Sequence, residues 1–180
     1  MESADLAARA KRAYEAGRLR WAAQIAWIVA LLLLISFASV GPSLVSATTG
    51  LILLATTTLL RWRGRQWSAA VRTGLMAGLI PFALLLVIKG GSFYLCSLGA
   101  CMGHCAKFCG FGGLAAGLLI AGRARRLDTS VMQFLTAATV VAALTGLLGC
   151  FVGGLMGTFW MVVGEVAATV PVFALQLRRQ

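Results

Sequence analysis

Long uncharged runs alternate along this chain with short clusters of arginine. No charge interrupts Trp21 to Gly41, a run that closes on Gly41, Pro42 and Ser43. Ser43 to Leu60 follows and ends at "RWRGR". Thr73 to Ile88 is a shorter run that stops at Lys89. A fourth stops at Gly122, before "RARR", and counting back about 20 residues for a spanning helix reaches Gly103. Val131 to Cys150 is a fifth. Gly154 to Leu177 is a sixth and carries a single charge, Glu165. A helix that crosses a bilayer needs roughly 20 mostly apolar residues. The pattern therefore predicts an all-α, polytopic membrane bundle of six transmembrane helices, at about 21–41, 43–60, 73–88, 103–122, 131–150 and 154–177.

Residues 1–20 precede the first run. Asp5 with Arg9, and Lys11 with Glu15, are opposite charges at i,i+4 spacing. Leu6, Ala10, Ala13, Tyr14 and Gly17 recur at helical spacing. The segment reads as a short amphipathic cytoplasmic helix. It either lies on anionic lipid or docks a soluble regulatory protein through residues 2–20. A cleaved leader fits poorly, because both the charged region and the apolar core are too long for one.

Composition agrees with the pattern. Hydrophobic residues make up 60% of the 180 and charged residues only 12%, against roughly 25% charge in a soluble domain. The net charge of +11 comes from arginines that flank the apolar runs. No basic stretch is long enough to build a nucleic-acid-binding fold, so the partner of this charge is the lipid bilayer. With the N-terminus inside, fourteen of the sixteen Lys and Arg residues fall in cytoplasmic segments, and only Lys89 and Lys107 fall outside. The positive-inside rule thus sets both termini in the cytoplasm, including the tail 178–180. A plasma or bacterial inner membrane suits this arrangement.

Chemistry concentrates in the extracytoplasmic segment 89–109, which contains "CSLGACMGHCAKFCG". Cys96, Cys101, Cys105 and Cys109 lie there with His104, the one histidine of the chain. Cys150 closes the fifth span on the same side. Helical spacing puts Cys101, Cys105 and Cys109 on one face, with His104 beside it. Such a set suits disulfides, which form outside the cytoplasm. The same residues also suit a soft or borderline metal such as zinc or copper, or redox-active thiols. The spacing matches no zinc ribbon, haem attachment site or C-x-x-C redox pair.

Glu165 is the twelfth of 24 residues in the sixth run, near mid-depth. A carboxylate there is a candidate proton or cation site; the other expectation is a neutral group hydrogen-bonded to threonines of spans two or five. Thr158, Met161, Ala168 and Thr169 share its helix face. Three G-x-x-x-G pairs, Gly74/Gly78, Gly113/Gly117 and Gly153/Gly157, mark close helix packing, within the chain or in a homo-oligomer.

These features fit three functions. The first is a sensor or regulator whose outer Cys/His cluster reads metal or redox state and whose N-terminal helix holds a cytoplasmic partner. This layout is similar to that of six-span anti-sigma factors of bacteria, a likeness carried by no residue-by-residue motif. The second is a soft-metal transporter, with Met156, Met161, Glu165, Met76 and Met132 along its path. The third is a membrane thiol oxidoreductase. No catalytic residues can be assigned, since a second histidine, paired carboxylates and a C-x-x-C pair are all missing from the sequence.

Overall fold

The protein, seen in a computed structural model, is described over residues 2–91, 101–126, 131–150 and 154–177. These residues form six helices: α1 (Glu2–Val40), α2 (Leu44–Arg63), α3 (Arg65–Gly91), α4 (Cys101–Ala124), α5 (Val131–Cys150) and α6 (Gly154–Leu177). Four segments are long and apolar enough to cross a membrane: Leu44–Arg63, Trp67–Leu84, Val131–Cys150 and Leu155–Leu175. In α1 the apolar stretch Ala23–Ser39 is shorter than these.

Two helices depart from the pattern of apolar runs. Residues 2–20 do not form a helix of their own. They are the first half of α1, which continues unbroken into the apolar stretch. At 1.5 Å per residue the whole helix is about 58 Å long. α3 also begins eight residues before the expected Thr73, because the basic segment from Arg65 is helical too. Hydropathy sees where lipid contact ends, whereas a helix continues for as long as nothing breaks it.

The breaks are sharp and have local causes. Ser43 caps α2: its hydroxyl oxygen accepts the Ser46 amide proton at 3.1 Å. That bond satisfies one of the donors a helix start leaves open. Between α2 and α3 stands one residue, Gly64, with φ 132° and ψ −173°. That region of backbone space is essentially open to glycine alone. A loop is thereby reduced to a hinge one residue long.

Apolar side chains cover the outside of the bundle as well as its core. Trp27 is 75% exposed, and Leu34, Leu44, Leu51, Phe111, Leu155 and Phe159 also point outward. A water-soluble protein rarely presents so continuous an apolar exterior; lipid accepts it. The interior holds aliphatic residues such as Leu53, Ile120 and Leu148 together with small and polar ones, among them Ala138, Ala142, Thr57, Thr145 and Glu165. With no aqueous driving force between helices in lipid, close backbone approach does the work.

Glycines set that approach. A Cβ on Gly74 would stand 2.6 Å from the Ala138 carbonyl oxygen, and one on Gly78 would stand 2.7 Å from that of Ala142. The first G-x-x-x-G pair is therefore the seam of α3 on α5. The second is the seam of α4 on α6: a Cβ on Gly117 would lie 2.6 Å from the Glu165 carbonyl oxygen, and one on Gly113 would collide with that of Met161. Both faces are used inside one chain. α5 is the central helix, in contact with each of the other five described. Its last turn is tied to α1 by a buried hydrogen bond, the Ser36 hydroxyl donating to the Leu148 carbonyl at 3.0 Å. That carbonyl is among the last four of α5, which have no partner within the helix. Ser36→Ala would strand it, and a loss of about 1–3 kcal/mol is expected in a reversible unfolding titration in mixed micelles.

Candidate functional site

The bundle has one end at which α4 and α6 begin and α5 finishes. Cys109 lies two turns into α4, and Cys150 is the last residue of α5. Their side chains meet in the interior, with the two Sγ atoms 3.2 Å apart and both thiols unbridged. Met161 reaches in from α6, and its Sδ lies 3.4 Å from the Cys150 Sγ. Three sulfurs from three helices thus form one buried cluster, with Leu147 packed beside it.

Two glycines make this convergence possible. A Cβ on Gly146 would stand 2.5 Å from the Met161 sulfur. A Cβ on Gly157 would stand 3.2 Å from the Cys109 sulfur. Pro81 of α3 closes the remaining side, with its ring 3.1 Å from the Gly146 position. Any larger residue at 146 would displace the thioether.

The other cluster members are located only in part. Cys101, His104 and Cys105 fall in the first two turns of α4, where the backbone alone is described. Cys96 and Gly153 lie outside the described residues. Among the described residues no third Cys, His, Asp or Glu joins Cys109 and Cys150. The sequence pattern gave no reason to include Met161 in this group. Its signal was the helical register of Gly157, Met161 and Glu165, which share one face of α6.

Glu165 sits one turn further along that face. It is 2% exposed, and its Oε1 is buried without a hydrogen-bond partner. The expected bonds from threonines of α2 or α5 do not reach that oxygen. Those hydroxyls bond back to their own helices instead: Thr57 to the Leu53 carbonyl at 2.8 Å and Thr145 to the Val141 carbonyl at 2.8 Å. Thr169 likewise donates to the backbone carbonyl of Glu165 at 3.1 Å. In a medium without water, back-bonding is the nearest way to satisfy a threonine. The Thr158 hydroxyl oxygen, two turns toward the sulfur cluster, is also buried without a partner. An orphaned buried polar atom costs about 1–3 kcal/mol. Glu165→Leu, of similar volume, is therefore expected to hold or raise the unfolding midpoint in micelles. A clear drop would show that the carboxyl has a stabilising partner.

The methionine path expected of a transporter is not assembled. Met156 is 65% exposed and Met76 is 59% exposed, both on the outside of the bundle. An apolar groove of about 260 Å³ beside α5 and α6 is lined by Leu135, Thr136, Thr139, Val140, Thr169 and Phe173, and does not include Glu165.

Fold and exterior define the class: a helical membrane protein with a sulfur-lined interior at one end. Beyond the class, comparison with known proteins finds no match to a family model, a curated protein or a solved structure.

Proposed function

We propose that the protein is a six-span membrane sensor-regulator with both termini in the cytoplasm. Its thiol-bearing outer end is the input, and the N-terminal half of α1 is the output. One observation carries this reading: residues 9–17 of α1 are exposed throughout and belong to the same unbroken helix as Ser36. That half-helix offers Tyr14 and several basic residues to a soluble partner. Ser36 is hydrogen-bonded to Leu148, two residues from Cys150. A change at the sulfurs would move the end of α5, and the Ser36 bond passes part of that movement to α1.

The orientation follows from charge. Arg61, Arg63, Arg65 and Arg72 flank the Gly64 hinge, and Arg123, Arg125 and Arg126 end α4. Placing them with the N-terminus in the cytoplasm satisfies the positive-inside rule. It then puts Cys109 and Cys150 at the opposite, extracytoplasmic end. The apolar half of α1 and α4 supply the two spans beyond the four long apolar segments. The sensor reading needs no conduction path, and the outward Met76 and Met156 offer none to a transporter.

The test is site-directed photocrosslinking in native membranes, with the photoreactive residue at Tyr14. A defined cytoplasmic protein captured there, and not from a probe at Leu175, supports docking. Adducts to lipid alone would overturn it.

A further inference from the structure

The geometry points to Cys109, Cys150 and Met161 as a three-coordinate site for a soft monovalent metal ion, copper(I) in chemical class. Two thiols and a thioether form the donor set that selects such an ion over zinc, calcium or magnesium. Harder ligands are missing from it among the described residues, since no carboxylate or imidazole joins the two cysteines. Zinc generally takes four ligands of nitrogen, sulfur or oxygen, and this cluster presents three sulfurs.

The distances suit the assignment. Metal–sulfur bonds of about 2.3 Å in a planar trigonal site set the sulfurs about 4 Å apart. From separations of 3.2 Å and 3.4 Å, the two pairs that Cys150 makes with Cys109 and Met161 need open by less than about 1 Å. All three donors sit on rigid helices rather than loops, which fixes their geometry before an ion arrives. Cys and Met also fill cores as ordinary apolar residues. Two observations exceed that role here: each donor comes from a different helix, and Gly146 and Gly157 clear the space around their sulfurs. On binding, each thiol gives up its proton and its sulfur donates an electron pair to the ion. One cation with two thiolates and a neutral thioether leaves a single negative charge. Apparent affinity therefore rises with pH as the two protons are released.

α4 supplies an approach. Its first turns hold Cys101 and Cys105, one turn apart in helical register, with Cys109 one turn beyond Cys105. These positions lead from the end of the bundle toward its interior. The metal assignment rests on the sensor reading only for its regulatory meaning, because the site itself stands on the sulfur geometry.

The experiment uses the full chain in lipid nanodiscs with Cys96→Ser, Cys101→Ser, Met102→Leu, His104→Asn, Cys105→Ser and Met156→Leu, so that the buried trio alone carries soft donors in that region. Copper(I) is added without oxygen against a competing chelator. One ion per chain is expected to be retained. When the methionines are replaced by selenomethionine, X-ray absorption at the selenium edge should show a copper neighbour. Met161→Leu, which preserves volume, should abolish that neighbour and weaken binding at least ~10-fold, the lower end of what even supporting residues of metal sites contribute. The selenium measurement alters no side-chain shape in the trio, so misfolding cannot explain a negative result. Loss of copper to the chelator, or retained copper without selenium scattering, would overturn the site. So would recovery of Cys109 and Cys150 as a disulfide from native membranes. Crosslinking from Tyr14 is then compared with and without copper. If copper binds and the crosslink does not change, the regulatory reading fails while the metal site stands. If the crosslink forms and copper does not bind, the reverse holds.

Discussion

Gly113→Val is expected to prevent stable assembly of α4 on α6. A Cβ at this position would strike the backbone carbonyl of Met161, and backbone cannot turn aside as a side chain can. Overpacking typically costs about 1–3 kcal/mol and occasionally more. Here two branched methyls must enter a seam already closed to one carbon, so the upper end of that range or beyond is expected. Separation of the helices would also withdraw Met161 from Cys150. The measurement is the yield of monodisperse protein in mild detergent, followed by unfolding in mixed micelles. Gly122→Ala is the matched control: it lies on the same helix, with nothing within 4 Å of its new carbon. There alanine should be neutral or stabilise by up to about 1 kcal/mol through its better helix propensity. Equal behaviour of the two variants would show that α4 and α6 are not held by this seam.

Gly17→Pro is expected to disconnect the two ends of α1. Residue 17 is exposed, and an added Cβ there meets nothing within 4 Å, so the proline disturbs only the helix that carries it. Within a helix, proline removes one backbone hydrogen bond and clashes with the carbonyl four residues earlier, at a cost of about 3 kcal/mol. Among the residues of α1 whose burial is described, Ile25 is the first that the bundle buries, so the unfolding midpoint should not change. The crosslink from Tyr14 should persist, because the docking surface survives. What should be lost is its response to the state of the outer thiols, compared between reduced and metal-loaded membranes. A response of wild-type size in Gly17→Pro would show that α1 does not transmit it.

The helical class of this protein could be read from its uncharged runs, and the limits of α5 and α6 coincide with two of them. Hydropathy failed where helix and lipid contact end at different places. Arg65 to Arg72 carries charge at both ends and is helical, and residues 2–20, expected as a separate helix, run without a break into the apolar stretch of α1. "RWRGR" marked the end of an apolar run, but the reduction of the loop to Gly64 alone depends on a backbone conformation that sequence does not display. The glycine pairs announced tight packing without naming partners, because a small-residue face is complementary to any close backbone. Cys109 and Cys150 could be assigned to one end by counting residues. Met161 could not be joined to them that way. Its role depends on which face of α6 meets α4, and that is settled by Gly113, Gly117 and Gly164 acting together.

The two tightest seams join helices that are not consecutive: α3 with α5, and α4 with α6. This interleaving has a consequence for biosynthesis. When the ribosome has delivered the chain as far as Ala124, the glycine faces of α3 and α4 are both made and neither has met its mate. Emergence of α5 closes the first seam, and emergence of α6 closes the second and completes the sulfur trio. A nascent chain stalled between Ala124 and Val131 would therefore hold two unmatched small-residue surfaces in the bilayer, the kind of defect that membrane quality-control proteases are placed to find.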